Sequence, residues 1–484
     1  MLKRLTIERA MGVITFVLLF ALAARVPIDT DTWWHLRSGA HILQHGFIDT
    51  DPFSHSAFGQ PWIDHSWGAQ LILYAVYQIG GLFGLMVYTA GLATLGMWFV
   101  WQASAGNNYV RAFAMIFGAA AAAVFWSPRP QMISFVLSAV ILYLIHLYKR
   151  ENVDRLWLIP IIMGVWGNLH AGFSIGFIFL LGTIGGEIFA NVFNPKGEHV
   201  IAPRGIVRLT VITLISAAAL VVNPYGLEML RVPFQTVGID VLRAEIQEWN
   251  TPNFQERQTW AFIGLAIAVF GTAGASQRRL NWTDFTLVSG TAFMALLAGR
   301  NIAVFAVVAT PVLTYHTASI LGERGWLTRV TTTVTPRMAR LNLAIIAAVV
   351  LAAALKVLLV FEPMTLNQVI NETLPVRAAA FVRENPPSGN LFNAYNWGGY
   401  LLYALPEYPV FVDGRTDLYG DAILREYLNA ARGGDGWRET LERYEITWVM
   451  VETGSGLVAR LRDEARWEIV YQDEQASVIV REPQ

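Results

Sequence analysis

A polytopic α-helical membrane protein carrying a C-terminal extracytoplasmic α/β domain is the fold class that three observations predict. The 484 residues are 54% hydrophobic and only 15% charged, too apolar for a water-soluble chain of this size. Apolar stretches able to cross roughly 30 Å of hydrocarbon recur from residue 10 to residue 361 and then stop. The remaining residues, 362–484, are ordinary mixed sequence. A formal net charge of −1 gives no electrostatic reason to expect nucleic acid as partner. The absence of cysteine excludes thiol chemistry and Cys-ligated zinc, and leaves an outward domain to be held by its core alone.

The first apolar stretch, 10–26, has a basic flank of Lys3, Arg4 and Arg9 but no small-residue cleavage site before Pro27–Asp31, which predicts a retained signal anchor. Further spans are expected at 81–104, 110–126, 130–148, 156–169, 171–193, 206–222, 258–275, 282–299, 301–320 and 341–361, about eleven in all. With the amino terminus cytoplasmic, Arg111, Lys149, Arg150, Arg155, Lys196, Arg204, Arg208, Arg278, Arg279, Arg324, Arg329, Arg337 and Arg340 all fall in inside loops, as short cytoplasmic loops require. Eleven crossings then deliver the C-terminal domain, 362–484, to the outside of the transmembrane domain, 1–361.

Two outer loops are long, 27–80 and 223–257, and both are rich in Trp, Pro, Asp, Glu and His. Within the first, a helix lying in the interface or entering at a slant is expected over 65–80, and an amphipathic interfacial helix over 31–45 is the alternative to reading that stretch as a site. The C-terminal segment alternates helical and extended patterns. Strands are expected near 390–393, 409–412, 446–452, 467–472 and 476–481, with helices near 375–384, 397–405, 421–431, 436–443 and 456–464.

Ionisable groups near membrane depth are costly and tend to be functional. Here they gather on the expected outer face: Asp29, Asp31, His35 and Arg37 after the first span, then Arg129, then Asn168 and His170. Glu248 and Trp249 follow in the second long loop, and Arg300 with Asn301 between the ninth and tenth spans. Carboxylates in the stretch 29–65 could hold Mg²⁺ or Mn²⁺ through oxygen ligands or serve as a general base. His35 and Arg37 could contact a phosphate; Trp33 and Trp34 could stack on a sugar or belong to an aromatic belt. In FVDGRTDLYG, Phe411–Gly420, a strand end feeding a glycine turn displays Asp413, Arg415 and Asp417, read either as a site edge or as a turn held by its own hydrogen bonds.

The stretch DTWWHLR, Asp31–Arg37, resembles the first outer loop of oligosaccharyltransferase catalytic subunits, and through them GT-C glycosyltransferases. DPFS at Asp51–Ser54 and GQPW at Gly59–Trp62 are similar to later elements of that loop. The whole chain, with RPQMISF, WGNLHAGF, NPYG, NWGGYLLY and FVDGRTDLYG, is similar to a group of bacterial membrane proteins assigned to the GT-C superfamily. That resemblance implies a GT-C-like fold in a bacterial inner membrane, a polyprenyl-phosphate-linked sugar donor, surrounding membrane lipids, and an extracytoplasmic acceptor. Asp31 would be the carboxylate that activates the acceptor or binds metal, with Asp29 as its alternative or support. Where oligosaccharyltransferases carry a second acidic motif, this chain reads SPRP at Ser127–Pro130, so Arg129 stands there as a phosphate-binding arginine, with Arg37 and Arg300 as further cations. NWGGYLLY, Asn396–Tyr403, resembles the acceptor-reading WWDYG element but has Gly in place of its Asp. The alternative to an active glycosyltransferase is a scaffold or lipid-sugar-binding subunit that keeps the fold without the chemistry.

Overall fold

The computed structural model describes residues 5–326 and 334–482; Lys3, Arg4 and Arg329 lie outside the described residues. The first helix, α1 (Ile7–Ala23), is followed by α2 (Thr32–His45) in the first long loop. The bundle continues with α3 (Trp67–Gln102), α4 (Asn108–Ala122), α5 (Gln131–Arg150), α6 (Leu158–Gly167), α7 (Ser174–Phe193) and α8 (Pro203–Ala219). Two short helices, α9 (Val232–Val237) and α10 (Asp240–Glu245), cross the second long loop before α11 (Trp260–Ala275), α12 (Trp282–Leu297), α13 (Ile302–Glu323) and α14 (Pro336–Val360). All eleven segments expected to span are thus helical. Seven helices among the described residues are long and apolar enough to cross a membrane. The others, α1, α6, α8 and α12, have 17, 10, 17 and 16 residues, below the roughly 20 that the hydrocarbon core asks for.

The interfacial segment and the second span form one continuous helical run, broken at Gly81, whose φ of 53° and ψ of −143° leave the helical region. Glycine takes a positive φ without steric penalty, so the chain changes direction there between the slanted part and the spanning part.

The connections separate cleanly by end. At one end Lys149 on α5 pairs with Glu187 on α7, and Arg150 lies 2.5 Å from Asp284 on α12. Arg208 on α8 reaches Asp154 at 2.7 Å, Arg278 reaches Glu198 at 2.8 Å, and the Asn108 amide donates to Glu8 at 3.1 Å. These are the loops in which the Lys and Arg excess was expected. The turns that carry Asp31, Arg129, His170, Glu248 and Arg300 instead meet one another against Tyr395, Gly414 and Thr416 of the C-terminal domain.

That domain starts with α15 (Pro363–Thr373) and α16 (Val376–Glu384), then β1 (Asn390–Asn393), α17 (Tyr395–Ala404), α18 (Thr416–Ala431) and α19 (Trp437–Arg443). It ends with β2 (Ile446–Glu452), α20 (Gly456–Arg462), β3 (Trp467–Gln472) and β4 (Ala476–Arg481). The sheet order is β1-β2-β4-β3, with β1 and β2 parallel and the other pairs antiparallel. The strand expected at 409–412 is a correction: Val410–Val412 is buried but joins no sheet, with an isolated bridge from Val410 to Ser54 and a bend at Phe411. Its backbone groups find other partners. Val410 exchanges bonds with Phe53 and His55 at 3.2 and 3.0 Å, and the Asn393 side chain accepts from Phe411 N and donates to Val412 O at 2.8 Å each.

One hydrophobic core fills the helix bundle, a second belongs to the C-terminal domain and takes in Trp34, Ile42, Ile48, Phe53 and Trp62 of the first long loop, and a small third joins Trp33 and Leu36 to Leu73, Leu85 and Leu374. The loop and the domain therefore share a core. Arg415 joins them electrostatically: with no exposed surface, it lies 2.5 Å from Asp51 and 2.6 Å from Asp413, and Tyr419 donates to Asp413 at 2.9 Å.

Candidate functional site

Between the outer loops and the domain lies a cavity of about 810 Å³ whose walls include Asp31, His35, His65, Arg129, His170, Glu248, Trp249, Arg300, Tyr395 and Asp417. Five separate outer connections contribute to it, and their assembly follows from local structure. The Asp29 carboxylate accepts from the Asp31 backbone N–H at 2.9 Å, forming a turn that opens α2 with Asp31 at its N-terminal edge. Thr32 Oγ1 donates to the Pro128 carbonyl at 3.0 Å, which brings the SPRP turn and Arg129 alongside.

Arg129 is the hub. Its Nη1 lies 2.7 Å from Glu248, 3.3 Å from Asp31 and 3.5 Å from Asp29, and Nη2 donates to the second Glu248 oxygen at 3.3 Å. Burial works against its charge, yet the three carboxylates hold its pKa well above the ordinary value. Asp31 answers in the other direction: burial pushes its carboxyl up to about 7 against the pull of Arg129, and the Asp29 and Glu248 charges add to the rise. Burial also raises Glu248, but Arg129 and Arg300 outweigh it and leave that carboxylate below its usual range. The cluster therefore contains one carboxylate poised near neutrality, Asp31, beside Glu248, which is held ionised, an arrangement suited to proton transfer.

Arg300 behaves differently from Arg129. Among the described residues it has no hydrogen bond or ion pair, only the Trp249 ring 4.3 Å from its guanidinium carbon. A cation facing a cavity with that little compensation is a ready partner for an anion.

Three carboxylates would suit Mg²⁺ or Mn²⁺, but the Arg129 guanidinium stands among them at 2.7 to 3.5 Å. Among the described residues no group of three or more His, Asp or Glu side chains is arranged to hold a metal ion. The donor set does not fit a metal centred on Asp31.

Asp29, Asp31, His35, Arg129, His170, Glu248 and Arg300 are brought together. Arg37 is not: it lies over the Phe53 ring at 5.7 Å, away from the cavity walls. Asp413 and Arg415 are also away from them, in the buried ion network; the neighbouring Gly414 is what reaches the site. A side chain at Gly414 would collide with Asp31 Oδ1, and one at Gly399 would meet the Thr30 carbonyl at 2.7 Å. The glycines of FVDGR and NWGGY thus let the domain backbone close directly onto the Asp31 turn. Trp33 and Trp34 are buried, Trp33 against Tyr77, Tyr400 and Tyr403 and Trp34 against Trp62, so neither stands in an aromatic belt. His65, Tyr395 and Tyr427 also line the cavity and carried no motif that would have singled them out.

No family model and no curated protein matches the chain. Solved structures do. The archaeal oligosaccharyltransferase AglB from Archaeoglobus fulgidus, in complex with an inhibitory peptide and a dolichol-phosphate, superposes with a TM-score of 0.58 at 11% identity over 92% of this chain and 69% of that one. The apo form of the Archaeoglobus fulgidus oligosaccharyltransferase gives 0.54 at 12% identity with the same coverage. The chain has the GT-C fold. ArnT from Cupriavidus metallidurans bound to undecaprenyl phosphate is similar at a TM-score of 0.49 and 13% identity, over 98% of each chain. In this fold, α2 and the first long loop lie between the helix bundle and the C-terminal domain, where the cavity lies.

Proposed function

We propose that the protein is a metal-independent glycosyltransferase that moves a sugar from a polyprenyl-phosphate-linked donor to a hydroxyl acceptor on the extracytoplasmic face of a bacterial inner membrane. The observation that carries this reading is the shared cavity of Asp31, a carboxyl near neutrality, and Arg300, a guanidinium without an ion-pair partner. The acceptor oxygen attacks the anomeric carbon while its proton passes to Asp31, and the bond from that carbon to the phosphate oxygen breaks with inversion. The leaving polyprenyl phosphate carries the electron pair away as an anion, which Arg300 stabilises. Arg129 keeps Asp29, Asp31 and Glu248 in place and is already committed to them. The dolichol-phosphate in complex with AglB, which shares this fold, adds support for a lipid phosphate as ligand.

The eleven-span topology with the amino terminus inside belongs to this reading, supported by the two segregated sets of loops and the Lys and Arg excess at one end. A reporter fused after Gln484 checks the side. The donor site is tested by melting the purified protein with and without undecaprenyl phosphate. The unmutated protein should gain stability with the lipid and Arg300→Gln should lose about tenfold in affinity, about 1.4 kcal/mol. No lipid-dependent shift in the unmutated protein would remove the donor site and favour the scaffold reading, in which the charges only pair among themselves.

A further inference from the structure

His170 has a fixed tautomer. Its Nδ1 accepts from the Gly172 backbone N–H at 3.0 Å and faces Ser134 Oγ at 2.8 Å. The Ser134 hydroxyl is itself the acceptor of Trp166 Nε1–H at 2.7 Å, so its single proton is directed to the imidazole. Two donors aimed at Nδ1 require that nitrogen to be bare and the ring proton to sit on Nε2. Gly172 is needed for this, because a Cβ there would come within 2.8 Å of Nδ1 and collide with the Ser134 hydroxyl. Trp166 has no exposed surface and Ser134 is buried, so the chain of bonds is rigid. Nε2 has no partner among the described residues, and the ring is part of the cavity wall. Burial, with His65, Arg300 and Arg129 nearby, holds the imidazole well below its ordinary pKa and therefore neutral.

We propose that His170 presents its Nε2–H to the same lipid phosphate that Arg300 binds, with Ser134 and Trp166 as the positioning residues that fix the donor. A neutral donor adds a directed hydrogen bond without a second cation to be desolvated. The inference rests on the phosphate-donor reading and names one more group that would contact the substrate.

The test uses the full chain in nanodiscs, labelled with ¹⁵N-histidine and titrated with farnesyl phosphate, farnesol and inorganic phosphate. Of the nine histidines, the signal lost in His170→Gln is that of His170. It should have the Nε2–H tautomer, and its Nε2 resonance should move with farnesyl phosphate and not with farnesol. Glutamine puts an amide N–H near the position of Nε2 whereas asparagine puts one near Nδ1. His170→Gln should therefore keep affinity within about threefold, and His170→Asn should lose about tenfold at an unchanged melting temperature. An Nδ1–H tautomer, or equal affinities for the Gln, Asn and unmutated proteins, would overturn the inference and leave the donor reading standing. An equal response to inorganic phosphate would keep His170 as the donor and overturn the lipid. No binding of farnesyl phosphate by the unmutated protein would overturn both.

Discussion

Asp31 and Arg129 carry the account at the level of single residues. The first long loop offers Asp29, Asp31, Asp49, Asp51 and Asp64; burial raises both Asp31 and Asp64 to about 7, and of these two it is Asp31 that stands on the cavity wall, at the edge of α2 with Arg129 pulling the other way. Activity should therefore rise about tenfold per pH unit below that value and level off above it, as the ionised base becomes fully populated. Asp31→Asn should flatten this dependence and cost about two orders of magnitude, about 3 kcal/mol of transition-state stabilisation, at normal expression. A substituted enzyme that retains the parent's pH profile would assign the base elsewhere. The sequence singled out Asp31, Arg129, Glu248 and Arg300 because polar groups at helix ends were grouped by the side of the membrane they would face. It could not separate Arg129, spent on three carboxylates, from Arg300, which has none within ion-pair distance, since both are simply arginines in outer turns. Nor could it reveal the Trp166–Ser134–His170 chain, whose members sit on different helices and a loop.

Among the elements, helices were legible and partners were not. Periodicity and apolar length located α1, α3 to α8 and α11 to α14, but not the short α9 and α10 inside the second long loop, and Gly81 marks where one expected segment gives way to the next. The VFV run near 410 has the composition of a buried strand, and only the fold supplies the competing partners, Asn393 and the loop residues Phe53 and His55. Asp413 and Arg415 look like a displayed pair in the sequence, yet their partner Asp51 is more than 300 positions away in the chain and closes them off from water. Removing the guanidinium leaves two buried carboxylates without a counter-ion, a loss of about 3 to 5 kcal/mol. Arg415→Ala should consequently undock the first outer loop from the domain, seen as new protease cleavage within 27–80 and a lower melting temperature. Unchanged proteolysis would mean that the shared apolar core alone holds the two together.

At the scale of the molecule, composition alone announces a membrane bundle with an appended mixed domain, because lipid and water select opposite surfaces. What composition does not disclose is that Trp34, Phe53 and Trp62 of the first long loop share one apolar core with the C-terminal helices and sheet. This union builds the cavity: the Asp31 turn comes from one side, the Gly414 backbone from the other, and the second long loop spans the gap, tied by Glu248 to Arg129 and by Glu245 to Arg432. Lipid extraction from cells whose only copy of the gene encodes Asp31→Asn tests the central claim, transfer from a lipid-linked sugar donor, most directly. With the protein present at parental levels, sugar-loaded polyprenyl phosphate should accumulate while the parent strain shows none in excess. A loaded-lipid pool identical to that of the parent would contradict the claim.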